Sequence, residues 1–360
     1  MNHKTDRLEA ERLDGARDIA AESGEAAQVR AEAGDESPAT KAQSAPSWVG
    51  EFLSRYALIL GWFVMAGIYL VLMPTKFGSV GTVTSIFGSQ QTLVFLAMAA
   101  LVTLAVGEFD LSIAFVMGIT ATLIPVVTNQ TGRIWVGVLV GLAAAAFCGA
   151  VNAFFAVYLG VSSIVVTLGT GTLIGGLSHM FSHGTIVTVF EPAFSNLALT
   201  PVFGMPISFY YGIAFVAFLA YVYAYTPLGR HMLFVGSSKE VARLAGIRVE
   251  WIRAGSYVAG GLLAGVAGML LVATQGGFDP ASSMTLLLPA LAAVFLGTAV
   301  IQPGQFNPVG TLVAIYFLAT GIFGLQLLGF SGWIQNVFYG AGLVIAVTLA
   351  NLARNKARTA

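Results

Sequence analysis

The stretch "AVGEFDLSIAF", residues 105–115, decides how this chain is read. Two carboxylates, Glu108 and Asp110, stand between apolar runs at about 88–106 and 111–127, with no basic residue nearby in sequence. An ionised acid at the middle of a bilayer costs roughly 2.5–3.5 kcal/mol even on the mildest scale. The stretch therefore reads as a break between two short helices, at a place that is wet or supplies a charge partner. Asp110 precedes the second run and is expected to cap its free N–H groups and meet the positive end of its dipole. Glu108 has no such local reason. It is expected at the cytoplasmic mouth, in reach of a basic loop such as 226–253.

Composition agrees with a membrane reading. Hydrophobic residues make up 57% of the 360 and charged residues 9%, against about 25% charged in an ordinary soluble domain. The 42 glycines suit helices that approach closely in lipid. The expected fold class is an all-α, multi-pass membrane protein. Lysine plus arginine balance aspartate plus glutamate at 17 each, so total charge gives no sign of a nucleic-acid partner. The single cysteine, Cys148, cannot form an internal disulfide. His179 and His183 are four apart, but no acid or cysteine follows at usable spacing. No metal site and no cofactor is expected.

Ten apolar runs follow one another, each near the roughly 20 residues a span needs: about 56–73, 88–106, 111–127, 134–158, 163–180, 207–225, 254–274, 285–301, 309–328 and 333–350. The second and third look short and meet at the acidic stretch. Seven Lys/Arg precede the first run, five lie in 226–253 and three close the chain, while the other side holds only Lys76 and Arg133. The positive-inside rule then puts both termini and the loop 226–253 in the cytoplasm. Residues 1–47, rich in Ala, Glu and Arg and without aromatics, are expected to form a largely disordered tail. Residues 48–352 form the membrane domain and 353–360 a short basic tail. Gly137/Gly141, Gly171/Gly175 and Gly261/Gly265 are GxxxG pairs that favour tight helix packing.

The loop "TPLGRHMLFVGSSKEVARLAGIRVEWIR", 226–253, is the largest charged feature of the membrane domain. Ser237-x-x-Glu240 has the form of a capping box. Val241, Leu244 and Ala245 share a helical face, and Gly246 can supply a left-handed stop. A helix of two turns is marginal alone in water, so something must hold it. Two readings stand open: a connector whose arginines only enforce topology, or a helix that docks in a groove of a cytoplasmic partner.

This loop resembles the coupling segment of ribose-type ABC importer permeases, with Gly229, Arg230, Glu240, Arg243 and Gly246 at the matching positions. "GEFDLS", 107–112, resembles that family's Gly-Gly-Ile-Asp-Leu-Ser segment, with Glu108 and Phe109 in place of Gly and Ile. "VNAFFAVYLGVSSIVVTLGT", 151–170, is similar to a third family segment through Asn152, Gly160, Thr167, Leu168 and Gly169. The resemblance covers roughly 85–350. It implies ten spans of the cobalamin-importer (type II) kind in a bacterial inner membrane. It also implies a second permease subunit, a cytoplasmic ABC ATPase and an extracytoplasmic substrate-binding protein. The cargo would be a sugar or small polyol. ATPase coupling would rest on Gly229, Arg230, Ser237, Glu240, Val241, Arg243, Leu244 and Gly246. The substrate pathway would draw on Phe109, Asp110, Ser112, Asn152, Thr167, Thr170 and Asp279.

The chain has no G-x-x-x-x-G-K-[ST] segment to cradle nucleotide phosphates, so ATP hydrolysis is expected on a separate subunit and the chain is not expected to be an enzyme. The alternative is an ion-coupled secondary transporter. Such proteins keep several titratable groups inside the membrane. Here Glu108, Asp110 and Glu191 are the only acids between 52 and 239. Finally, "GGFDPAS", 276–282, echoes "GEFDLS" five spans later, an odd number, which is the signature of an inverted repeat.

Overall fold

A computed structural model describes residues 48–359; the expectation of a disordered tail at 1–47 lies outside the described residues. Helix α1 is Trp48–Leu72, followed by a single turn at Pro74–Phe77 and by α2, Val80–Gly88. Then come α3 (Gln91–Ala105), α4 (Ile113–Thr131), α5 (Ile134–Ala153) and α6 (Ser163–Phe181). A π-helical turn, Phe154–Tyr158, extends α5. After α7 (Pro192–Leu199) and α8 (Ile207–Tyr225), two short helices, α9 (Pro227–Ser237) and α10 (Lys239–Leu244), occupy the basic loop. The last four are α11 (Val249–Gln275), α12 (Leu287–Gly297), α13 (Pro308–Leu327) and α14 (Trp333–Thr359). The pairs β1 (Val187–Thr188) with β4 (Gly277–Phe278) and β2 (Pro201–Val202) with β3 (Met205–Pro206) are antiparallel.

All ten expected runs are helical. Among the described residues nine stretches are long and apolar enough to cross a membrane, and α14 adds a shorter apolar stretch, Trp333–Ile345. The second run gains length from α2, so that Val80–Ala105 makes one broken span. Helix α14 runs on through residues 353–359.

The core is α3, α4 and α11. Every residue of α3 is buried, as expected of a helix apolar on all sides. Each GxxxG pair sits at a helix crossing. A Cβ on Gly137 or Gly141 would strike α4, on Gly171 or Gly175 would strike Phe115, and on Gly261 or Gly265 would strike α5. At Gly137 and Gly261 the neighbouring backbone itself fills the space, and at Gly171 and Gly175 the Phe115 ring does, which is how helices gain contact in lipid.

The halves are related by exchange. The pairs α4–α5, α4–α6, α4–α11 and α5–α11 have the counterparts α12–α13, α12–α14, α12–α3 and α13–α3, all in contact. Helices α3 and α11 pack on each other at the centre. Arg253, near the start of α11, reaches Glu108, just past the end of α3, so the two run antiparallel. Their following breaks, 107–112 and 276–282, therefore lie at opposite ends, about 35 Å apart by helical rise.

Candidate functional site

The basic loop folds as two capped helices. Thr226 Oγ1 accepts from Gly229 N–H (3.3 Å) and Pro227 occupies the first turn of α9. Gly229 lies against Val222 and Tyr223 of α8, where any side chain would collide with backbone. Arg230 and Ser237 stand on a groove of 610 Å³ shared with Leu104, Phe234 and Phe306. Ser237 does not start the next helix, contrary to the expected capping box. It is the last residue of α9, and Ser238 caps α10 by accepting from Val241 N–H (3.3 Å). Glu240 remains in the first turn of α10, where its charge suits the helix dipole.

Helix α10 ends in a Schellman motif. Gly246 is left-handed (φ 79°) and donates to the Arg243 carbonyl, while Ile247 donates to that of Ala242. Ala242 faces the core with no exposure, whereas Val241 and Leu244 are 50% and 88% exposed. Arg243 pairs with Glu250 at 2.6 Å on the surface.

The first break begins with the same device. Gly107 is left-handed (φ 78°), and the amides of Gly107 and Glu108 donate to the carbonyls of Leu104 and Thr103. Gly236, near the end of α9, rides on this backbone so closely that a Cβ would collide with the Ala105 carbonyl.

Glu108 is 2% exposed and fully engaged. Its Oε1 accepts from Lys239 Nζ (2.7 Å) and Arg253 Nε (2.6 Å), and its Oε2 from the Tyr257 hydroxyl (3.0 Å). Arg253 also donates through Nη2 to the Ala156 carbonyl in the π-helical turn (3.3 Å). Burial pushes the Glu108 carboxyl up, but the hydrogen bonds and charges of Arg253 and Lys239 outweigh it and hold the group below the usual carboxylate range. Both cations come from 226–253, the loop expected to reach Glu108.

Asp110 behaves differently. It does not cap α4, because Ser112 holds the N-cap position and makes no side-chain cap bond. Asp110 Oδ1 instead accepts from the amide (2.9 Å) and hydroxyl (2.6 Å) of Ser112, closing a turn one step before the helix. Burial pushes its carboxyl up to about 6 against the pull of those two bonds.

A directed chain of hydrogen bonds leads on from there. Thr170 Oγ1 donates to Asn152 Oδ1 (2.6 Å), Asn152 Nδ2 to Ser112 Oγ (2.7 Å), and Ser112 Oγ to Asp110. Thr167 Oγ1 accepts from Leu111 N–H (3.1 Å) and also contacts the Phe109 carbonyl (3.2 Å). The break is thus stitched to α5 and α6.

Over residues 82–347 the chain matches the family described as branched-chain amino acid transport system / permease component. It is 30% identical to the L-arabinose transport system permease protein AraH of Escherichia coli K12, over 73% of this chain and 80% of that protein. The L-arabinose ABC transporter permease protein AraH of Azospirillum brasilense is 25% identical over 89% and 96%. The autoinducer 2 import system permease protein LsrC of Escherichia coli O9:H4 is 28% identical over 79% and 84%. The chain belongs to this family of ABC-transporter permeases. It is a multi-pass protein of the inner membrane. No solved structure matches it.

In this permease six of the seven residues expected along a pathway form one cluster at the basic end: Phe109, Asp110, Ser112, Asn152, Thr167 and Thr170. Ser112, Asn152 and Thr167 have no exposure and spend their polar groups within the cluster and on backbone. Phe109 is 37% exposed and stacks on Phe295 (6.0 Å between centroids). Asp279 lies apart, at the other break, where its Oδ1 accepts from Ala281 N–H (3.0 Å). Sequence reasoning missed Lys239, Arg253, Tyr257 and Ser238. The signal for the first three was the need of a buried acid for partners, with Arg253 and Tyr257 one helical turn apart.

Proposed function

We propose that this permease carries a sugar or related small polyol across the inner membrane, driven by a cytoplasmic ABC ATPase that docks on α10. An extracytoplasmic substrate-binding protein delivers the cargo, and a second permease subunit completes the pathway. The observation that carries this reading is the form of α10. A helix of two turns, capped at both ends and anchored through Ala242, presents Val241 and Leu244 outward beside Arg243. Large apolar side chains on a short, basic, extramembrane helix suit insertion into a groove of another protein. The relatives named for L-arabinose support a neutral sugar as cargo. The excess of Lys/Arg in the two termini and in 226–253 supports their cytoplasmic placement. The absence of a phosphate-binding loop from the sequence fits a separate ATPase. Phe109, exposed beside a hydrogen-bonded cluster, offers a ring for the apolar face of a sugar.

Leu244→Asp tests the docking. The ATPase should no longer co-purify with the permease, and substrate-stimulated hydrolysis should vanish in the reconstituted complex. Retention of both would sink the assignment of α10. Ion coupling predicts instead that the permease alone moves substrate into vesicles under an ion gradient without ATP.

A further inference from the structure

We propose that Glu108 is the positioning residue that carries motion of α10 into the membrane helices. The inference rests on the reading of α10 as the ATPase docking helix. Glu108 sits in the break, in neither α3 nor α4, yet it binds three donors from two other elements: Lys239 of α10, and Arg253 and Tyr257 of α11. Arg253 extends the tie to the Ala156 carbonyl at the end of α5. Charge-assisted hydrogen bonds to a carboxylate are the strong kind, and separating one partner from a buried pair leaves an uncompensated charge.

A push on α10 that left the break behind would have to pull Lys239 off a carboxylate with 2% exposure. Moving the break along with α10 avoids that cost. The close packing of Gly236 on the 105–107 backbone resists sliding between them. Beyond the break, the bonds that Ser112 accepts from Asn152 and Asn152 accepts from Thr170 pass the displacement to α5 and α6. One carboxylate thus joins the docking helix to four membrane helices: α3 and α4 on either side of the break, α11 through Arg253 and Tyr257, and α5 through Arg253.

The test is the amount of substrate moved per ATP hydrolysed by the permease in proteoliposomes with its ATPase and binding protein. A residue needed only for folding changes how much active complex is made, not this ratio. Glu108→Gln should lower the ratio at least fivefold. Glu108→Asp, which keeps the charge on a shorter stem, should fall between that variant and the parent. Lys239→Met guards against misfolding of Glu108→Gln. It cuts only the tie to α10, leaves Glu108 with Arg253 and Tyr257, and should lower the ratio by a similar factor. A ratio within twofold of the parent in Lys239→Met overturns the proposal. If Leu244→Asp meanwhile still releases the ATPase, only the role of Glu108 has failed; if Leu244→Asp leaves the ATPase bound, the docking reading has failed instead.

Discussion

The two breaks, 107–112 and 276–282, are built alike and used differently. Each follows a long helix of the central pair, opens on a left-handed glycine (Gly107, φ 78°; Gly276, φ 72°) and places Phe then Asp just after it. In each, an Asp Oδ1 accepts an amide two residues on, from Ser112 in one and Ala281 in the other. The shared Gly-x-Phe-Asp frame diverges at its second residue. Glu108 stands at one break and Gly277 at the other. Glu108 gathers Lys239, Arg253 and Tyr257. Gly277 instead pairs as a strand with Thr188, and a Cβ there would crowd the Val187 carbonyl. One break is wired by charge to α10 and to the start of α11, and the other is held by backbone pairing to a neighbouring loop. The same local geometry is therefore tied by side-chain charge at one end and by main-chain pairing at the other.

Substitutions can break this contrast. The largest effect is expected for Glu108→Leu, which strands Arg253 at 15% side-chain exposure without its carboxylate. Removing one partner of a buried pair costs about 3–5 kcal/mol, read as a fall in thermal stability of the purified permease. Stability equal to the parent would mean that the cluster is not held by charge. Asp110→Ala leaves the buried Ser112 amide unpaired, at a cost of about 1–3 kcal/mol. Asp279→Ala removes an exposed cap of a 3-10 turn and should cost about 1 kcal/mol. Equal losses from the two alanine variants would erase the distinction between a buried and an exposed turn.

Acid separates the two carboxylates of the first break. The Asp110 carboxyl is raised from 3.8 to about 6, so the stability it contributes is full below its unfolded value and lost as pH rises through about 6. Glu108 is depressed, so its contribution is present above its unfolded value near 4.5 and lost as pH falls through its lower folded value. Between pH 7 and 5 the parent should therefore gain stability through Asp110 without yet losing any through Glu108. Asp110→Asn keeps an acceptor for Ser112 and should flatten that gain. A melting profile unchanged by this substitution would argue against a carboxyl raised by burial at Asp110.

The spans were legible in the sequence because bilayer thickness leaves few ways to place apolar runs. The stop at Gly246 was legible because only glycine holds a left-handed conformation at no steric cost. The cap of α10 was misplaced by one residue because Ser237 and Ser238 are adjacent, and the Ser-x-x-Glu spacing favoured the wrong one. The three-dimensional turn around Ser112, not the sequence, decides that Asp110 stops short of the helix. Glu108 could be assigned a basic loop but not its cations, since Lys239 and Arg253 meet only once α10 folds back onto α11. The β1–β4 pairing joins two-residue strands 90 positions apart, too short to leave a pattern. In the pathway set, the inward turn of Ser112, Asn152 and Thr167 left no mark in the sequence, because their partners come from different helices.

The central claim, that α10 and the first break move as one body, can be measured directly by pulsed electron resonance. Spin labels would be placed at Glu240→Cys with Phe109→Cys, and at Glu240→Cys with Met284→Cys near the second break, after Cys148→Ser. With the ATPase cycling between its ATP-bound and nucleotide-free states, the 240–109 distance should stay constant while the 240–284 distance shifts. A 240–109 distance that changes as much as the other would contradict the rigid link through Glu108.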